Sequence, residues 1–473
     1  VLVAAGQVSV DEDAPDPVHL IAAAARAAAP SKTLRGIDSI RLVRIVSRGY
    51  PDPGRLLAAE LGAAPRETIY THHGGHNPQR LITEAAYDIF TGRSDLVLVG
   101  GGESWRTRRA MKKRGITPDW LSQDASCAPT RVVGDKLALH SDAEQAIGFG
   151  DPLHAYPLIE VARRAHEGLL ADDHLRQICE LWARFSQVAA ENPFARIPKS
   201  FSAEEIARVS PTNRLVAHPY RKLLVANDDV NQAAALILCS VERAEREGIP
   251  RDRWVFLHGA GAANEPSFVS NRVALARAPA IADAGRQAFE QAGVGVDDLK
   301  YIDLYSCFPC AVEIAAAELG IGLDRDVTVT GGLTFAGGPW NNYTSHAVAT
   351  MWQRLTEDPG AFGMCTANGG LLTKHAIGIY STQVPRSQPV PVEATSGPER
   401  QADPDYEGSA AMEAFTVMYD ADGCPTQAFV ACLTPHERRV LVSTTSECLM
   451  SQLLDEEPVG SEVRVGDHLL VGL

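Results

Sequence analysis

THHGGHNPQRLITEAAYDIFTGRSDLVLVGGGES, residues 71–104, decides how this chain is read. Ile82, Ala85, Ala86, Ile89 and Phe90 recur at helical spacing. LVLVG at 96–100 is a short apolar run ending in glycines, as in a buried strand. The stretch therefore reads as a glycine-rich turn, a helix, a second turn and a strand. Glycines crowd the point where the helix begins, a place where backbone can approach a ligand closely. No cysteine or serine stands between 71 and 80 to act as a nucleophile there.

Working outward, the alternation continues. VLVAAGQVSV at 1–10, WVFLHGAG at 254–261 and TVTGG at 328–332 read as further strands, with helices expected at 279–292 and 344–355. Such alternation implies a layered α/β architecture. Residues 105–225 differ: they combine basic stretches, prolines and amphipathic helices, the longest candidate running from 159 to 190. This region reads either as an insertion or lid over the α/β body or as a purely structural helical subdomain. Prolines and charges dominate 384–408, as in a linker. Beyond it, DADG at 420–423 suggests a hairpin turn, and ERRVLVSTT with EVRVGDHLLVGL completes a small β-rich domain over 409–473. THHGGHNPQRLITEAA and FGMCTANGGLLTKHAIGIYS both set glycine-rich turns before apolar segments, compatible with two related halves, 1–245 and 246–383, closing over one site.

Composition excludes several classes of function. The 473 residues are 45% hydrophobic and 22% charged, enough for a large core and unlike a disordered chain. A formal net charge of -15 argues against broad nucleic-acid binding, which needs cationic surface. No apolar run is long enough to span a bilayer, so stable membrane insertion is not expected. Nine cysteines in mostly apolar contexts read as reduced core thiols of a cytoplasmic protein.

Four segments concentrate reactive side chains. His72, His73 and His76 lie together but do not supply a closed zinc site, and no metal is expected. His76 is instead a turn residue or a neighbour of a bound acyl or phosphate group. In YIDLYSCFPC, Cys307 and Cys310 form a CxxC pair, suited either to disulfide exchange or to the core, and Tyr305 suits a donor or acid near an enolate. GGLTFAGGPWNNYTSHAV offers Gly331, Gly332, Gly337 and Gly338 for close backbone approach, Asn342 for an oxyanion and Tyr343 for substrate. It lacks the lysine ending of a P-loop. FGMCTANGGLLTKHAIG adds Cys365 as nucleophile, general acid or buried thiol, Asn368 as a polar orienter, Gly369 and Gly370, Lys374 and His375.

In this order, AAGQVS, GG…TGRSDLVLVGGGES, DLYSCF, GGLTFAGG and CTANGG resemble the thiolase superfamily over most of 1–383, in particular the thiolase-like proteins type 1 allied to the sterol-carrier-protein-two branch. The resemblance implies a five-layer αβαβα fold with two related halves, a loop insertion, an additional C-terminal β-rich domain, and a pocket for coenzyme A or acyl-CoA. The glycines at 74, 75, 331, 332, 337, 338, 369 and 370 would line it, and relatives with the added domain imply a monomer. Carried over by residue, the nucleophilic cysteine of the first turn falls on Gly75. The asparagine-glutamate-alanine-phenylalanine segment falls on Tyr305, Ser306, Cys307 and Phe308. The histidine of the glycine-histidine-proline segment falls on Gly338, and the last catalytic cysteine falls near Asn368 or Ala367. Ordinary ping-pong thiolysis would then lack covalent capture. Three functions follow: an acyl-CoA-binding protein without thiolysis, an acyl-CoA retro-aldol lyase using Tyr305 and Tyr343, or a non-catalytic metabolic scaffold.

Overall fold

The strand Leu96–Ser104 is buried along its whole length, and the first sheet is built around it. The computed structural model describes every residue except 135, 137 and 393, and only the backbone of 395 and 396. In this sheet the strands run Leu2–Ser9, Asn231–Cys239, Leu96–Ser104, Ser39–Leu42, Glu67–Thr71 and Arg131–Val133. A second sheet runs Leu299–Asp303, Phe362–Gly369, Lys374–Ser381, Phe256–Asn264 and Thr395–Ser396.

The two sheets repeat one pattern. Leu2–Ser9 is antiparallel to Asn231–Cys239, which is antiparallel to Leu96–Ser104, which is parallel to Ser39–Leu42; likewise Phe256–Asn264 is antiparallel to Lys374–Ser381, which is antiparallel to Phe362–Gly369, which is parallel to Leu299–Asp303. Leu2–Ser9 thus corresponds to Phe256–Asn264, and Leu96–Ser104 to Phe362–Gly369. The outer helices follow suit. Pro17–Ala28 covers the first sheet and Pro279–Ala292 the second. Both come close enough that a Cβ at Gly6 would lie 2.1 Å from the Ala24 carbonyl oxygen, and one at Gly261 1.9 Å from that of Ala284. Between the sheets lie Asn77–Phe90 and Tyr343–Glu357, each touching strands of both sheets and each other. The result is five layers, αβαβα, with two related halves. The counterpart of the 71–90 turn and helix is therefore the segment entering Tyr343–Glu357. It is not FGMCTANGG, whose glycines end a strand.

Two expectations need correction. TVTGG is not a strand. Thr328 and Thr330 turn their hydroxyls, and Val329 its N–H, onto the carboxylate of Asp303, so a β-branched alternation has become a loop around a buried charge. The 159–190 helix is two helices, Pro152–His166 and Ala171–Glu191, parted at Gly168, which has a φ of 67°. The expected helices at 279–292 and 344–355 and the strands at 1–10 and 254–261 are present within a few residues.

The carboxyl-terminal strands close into a barrel in the order Gly408–Tyr419, Pro425–Leu433, Arg439–Thr444, Leu469–Gly472, Glu462–Gly466 and back to Gly408–Tyr419. Helix Glu447–Glu456, which hydropathy did not suggest, joins Arg439–Thr444 to Glu462–Gly466. The short pair Leu215–Ala217 and Tyr220–Arg221 adds to this sheet at Met418. All nine cysteines are unpaired. Among the described residues no helix is long and apolar enough to cross a membrane.

Arg439 fastens the barrel to the body. Its fully buried guanidinium bonds Glu413 at 2.7 and 2.8 Å and reaches the carbonyls of Val269, Ser270 and Arg272. Arg439→Leu leaves Glu413 and these carbonyls without their donor. We expect it to lower stability by about 3 kcal/mol, read as a lower urea midpoint at unchanged slope.

Candidate functional site

The site forms where the glycine turn before Asn77–Phe90 meets the ends of two strands of the second sheet. Gly74 has a φ of 150° and donates its N–H to Asn341 Oδ1 at 2.9 Å, which pins the turn to the start of the other central helix. Gly75 follows, buried. A Cβ there would lie 2.4 Å from the Asn368 carbonyl oxygen and 2.6 Å from the Tyr305 hydroxyl. Gly369 packs on the same turn, where its own Cβ would meet His76 Nδ1 at 2.4 Å. Position 75 thus carries no side chain, and the space for one is filled by Tyr305 and Asn368.

Tyr305 is placed by the loop after Leu299–Asp303. Its N–H donates to Thr366 Oγ1 at 2.8 Å on the neighbouring strand. Its ring meets that of Tyr343 edge-on, with centroids 5.3 Å apart. The Tyr343 hydroxyl donates to Asp303 Oδ1 at 3.0 Å and lies 2.7 Å from Thr330 Oγ1. Asp303 is fully buried, and burial pushes its carboxyl up to about 6 despite these donors. Burial raises both tyrosines well above their ordinary range, so both hold their protons at neutral pH.

His76 stands at the helix start. Its buried Nδ1 has no hydrogen-bond partner, and burial with the nearby charges of Lys374 and Arg80 pushes it down to about 3, so the ring is neutral. Asn368 donates from Nδ2 to the Tyr156 hydroxyl at 2.9 Å, leaving its buried Oδ1 unpartnered. Tyr156 also receives the Leu372 N–H at 2.9 Å and stacks on Phe308 with centroids 4.4 Å apart. Cys307 lies beside this group, its thiol pushed up to about 12 by burial.

The structure therefore brings Gly74, Gly75, Gly369, His76, Tyr305, Tyr343 and Asn368 into one cluster. It does not bring Cys365, which is fully buried in register with Asp303, where burial and that carboxylate hold its thiol far above its ordinary range. Gly331, Gly332 and Gly337 have positive φ and approach Ala189, Phe185 with Ser306, and Gln232 respectively. Gly338 donates its N–H to the Asn227 carbonyl at 2.8 Å, and Gly370 accepts from Tyr156 at 3.2 Å. Asn342 donates to the Gly101 carbonyl and so ties the start of the helix Tyr343–Glu357 to the first sheet. Three members were missed in the sequence: Asp303, Tyr156 and Asn341. Asp303 left one signal, a charge at the end of a strand and the first residue of DLYSCF. Tyr156 left none.

Several spaces adjoin the cluster, one of about 10 Å³ touching Tyr343 and Gly337. Another cavity of about 10 Å³ touches Tyr305, Asn368 and His375. One of about 350 Å³ is lined by His76, Arg80, Thr83, Lys374 and His375 together with the strand Phe256–Asn264.

Two related halves about a central helix pair, with the glycine turn at their junction, define a thiolase-fold protein. The dimeric peroxisomal thiolase of Saccharomyces cerevisiae shares this fold, with a TM-score of 0.59 and 14% identity over 81% of this chain and 97% of that one. An acetyl-CoA acetyltransferase of Methanocaldococcus jannaschii is 24% identical over 323 residues, 64% of this chain and 74% of that protein. Residues 389–468 match the thiolase-like protein type 1 additional C-terminal domain. A monomeric SCP2-thiolase-like protein type 1 from Mycobacterium smegmatis superposes with a TM-score of 0.83, at 31% identity over 98% of this chain and 96% of that one. The chain belongs to the SCP2-thiolase-like protein type 1 family.

Gly75→Cys tests the crowding at the turn. A thiol there collides with Asn368 and Tyr305, so the variant should lose about 1–3 kcal/mol of stability. It should also fail to cleave acetoacetyl-CoA with CoA, followed by absorbance loss and by mass spectrometry of acetyl-CoA. Multiple-turnover thiolysis by Gly75→Cys would show that the contacts drawn here do not govern the site.

Proposed function

We propose that this protein binds CoA or an acyl-CoA as a monomer in the cytoplasm and does not perform ordinary thiolysis. One observation carries the reading: the place of a nucleophile's side chain at residue 75 is occupied by the Tyr305 hydroxyl and the Asn368 carbonyl. Covalent acyl transfer needs a nucleophile and a base beside it. Gly75 offers no nucleophile, and Gly338 offers no imidazole. The neighbouring cavity of about 350 Å³ falls within the range of small-molecule pockets and suits the acyl end of a thioester. Arg80, bonded to Glu84 of the same wall at 3.1 Å, and Lys374 stand in its wall. Names among the relatives, acetyl-CoA acetyltransferase above all, support a CoA-linked ligand class. Isothermal titration with CoA and with short- and long-chain acyl-CoAs should give saturable binding for at least one, weakened by Arg80→Glu. Absence of heat across the whole series overturns the reading.

The tyrosine pair favours a second reading, a retro-aldol lyase acting on a β-hydroxyacyl-CoA. A deprotonated tyrosine is disfavoured here, because burial raises both hydroxyls. Tyr343, however, is bonded to Asp303, whose carboxyl is largely ionised at pH 7. The β-hydroxyl proton would pass to Tyr343 as its own proton moves to Asp303. The Cα–Cβ bond would break with its electron pair entering the thioester enolate. Tyr305 would hydrogen-bond the enolate oxygen, and return of the proton from Asp303 through Tyr343 to Cα would complete release of a carbonyl compound and a shortened acyl-CoA. Mass spectrometry after incubation with a β-hydroxyacyl-CoA panel should show that product pair, lost in Tyr343→Phe. Unchanged substrate throughout excludes it.

A further inference from the structure

Away from the glycine turn, three buried side chains on three helices converge. Glu160 lies on Pro152–His166, His174 on Ala171–Glu191 and Glu313 on Pro309–Leu319. One donor atom from each lies within 4.8 Å of the others. His174 Nε2 is 2.6 Å from Glu160 Oε1 and 3.9 Å from Glu313 Oε2. Glu313 is more than nine-tenths buried, its Oε2 receives no N–H or O–H from other residues and points into the cluster, and its carboxyl meets that of Glu160.

We propose that Glu160, His174 and Glu313 form a binding site for one divalent transition-metal cation, with zinc as the best match. Two carboxylates sharing a buried pocket cannot both stay ionised unless a proton or a cation lies between them. A dication with two carboxylates and a neutral imidazole is a neutral assembly, the form that burial favours. Burial already lowers the affinity of His174 for a proton, which keeps its lone pair available, and raises both glutamates when no cation compensates them. Arg163 offsets part of that burden for both glutamates but is itself bridged to Glu167 at 3.3 Å, and Arg164 is bridged to Glu457 at 2.6 Å, so burial still raises both carboxyls.

The donor set selects the metal. Imidazole with carboxylate oxygens suits zinc better than calcium or magnesium, which take oxygen alone. With zinc bonds of about 2.0–2.2 Å, tetrahedral donors stand roughly 3.3 Å apart, a small rearrangement from the separations here. The Tyr220 hydroxyl donates to the other oxygen of Glu160 and so orients it, as outer partners of metal ligands do. A cavity of about 280 Å³, lined by Glu160, His174, Arg164, His218 and Glu457, provides entry and room for a further ligand. The cation would clamp the lid helices onto the second half of the body. Glu160 lies one turn beyond Tyr156, whose hydroxyl holds Asn368, so the clamp also steadies a wall of the candidate site.

The test uses the full chain, stripped with chelator and titrated with zinc. One zinc per chain should survive gel filtration and raise the melting temperature. X-ray absorption at the zinc edge should show nitrogen and oxygen ligands with a single imidazole. His174→Gln and Glu313→Gln, checked for folding by circular dichroism, should bind zinc more than about tenfold more weakly. No stoichiometric uptake of zinc, cobalt(II) or manganese(II) overturns the proposal. So do sulfur ligands in the wild-type spectrum, which need no variant to be read, and so does undiminished binding by either folded variant.

Discussion

A single buried carboxylate organises the centre of this molecule. Asp303 ends a strand of the second sheet and receives the Tyr343 hydroxyl, the Thr328 and Thr330 hydroxyls and the Val329 N–H. Taking a carboxylate out of water costs several kcal/mol, and hydrogen bonds to a charged group contribute about 1.5–3 kcal/mol each. Four donors offset that cost only if all four are held in place. The 328–332 segment is therefore bent into a loop, and the start of Tyr343–Glu357 is fixed against the strand. Tyr343 then fixes the ring face against which Tyr305 rests.

From that anchor the crowding at Gly75 follows. Tyr305 is held from both sides, by Tyr343 and by its N–H on Thr366, so its hydroxyl cannot retreat from the turn without breaking the arrangement behind it. Asn368 is held likewise through Tyr156 and Phe308. A side chain at 75 would need two supported neighbours to move together. The chemistry of the site is set by this packing as much as by which residues are present.

Outside the five layers, the insertion helices and the carboxyl-terminal barrel share a continuous apolar core with the body and are joined to it by polar links as well. Arg439 reaches from the barrel into the 269–272 segment, and Arg164 and His218 meet Glu457 across the barrel's edge. Arg439 serves Glu413 and three carbonyls, and Glu457 takes both Arg164 and His218, so directional bonds specify the orientation of these parts in addition to apolar contact.

The sequence by itself determined the layers, because period and turn chemistry are local. LVLVG reads as a buried strand, the 77–90 segment as an amphipathic helix, and the ordered motifs as the thiolase-like resemblance. It also showed that position 75 bears no nucleophile, and it marked Tyr305, Tyr343, His76 and Asn368. Only the tertiary structure decided what those residues face. Thr328 and Thr330 read as strand until Asp303 is placed between them, and Cys365 reads as nucleophile, general acid or buried thiol alike until it is seen buried in a sheet beside a carboxylate. The correspondence between the halves was also misaligned, since two glycine-rich turns look alike in sequence while one precedes a helix and the other ends a strand. Tyr156 carries no local signal, because its role comes from contacts more than 200 residues away along the chain. Hydrogen-bond partners and burial belong to the assembled fold, and no window of sequence contains them.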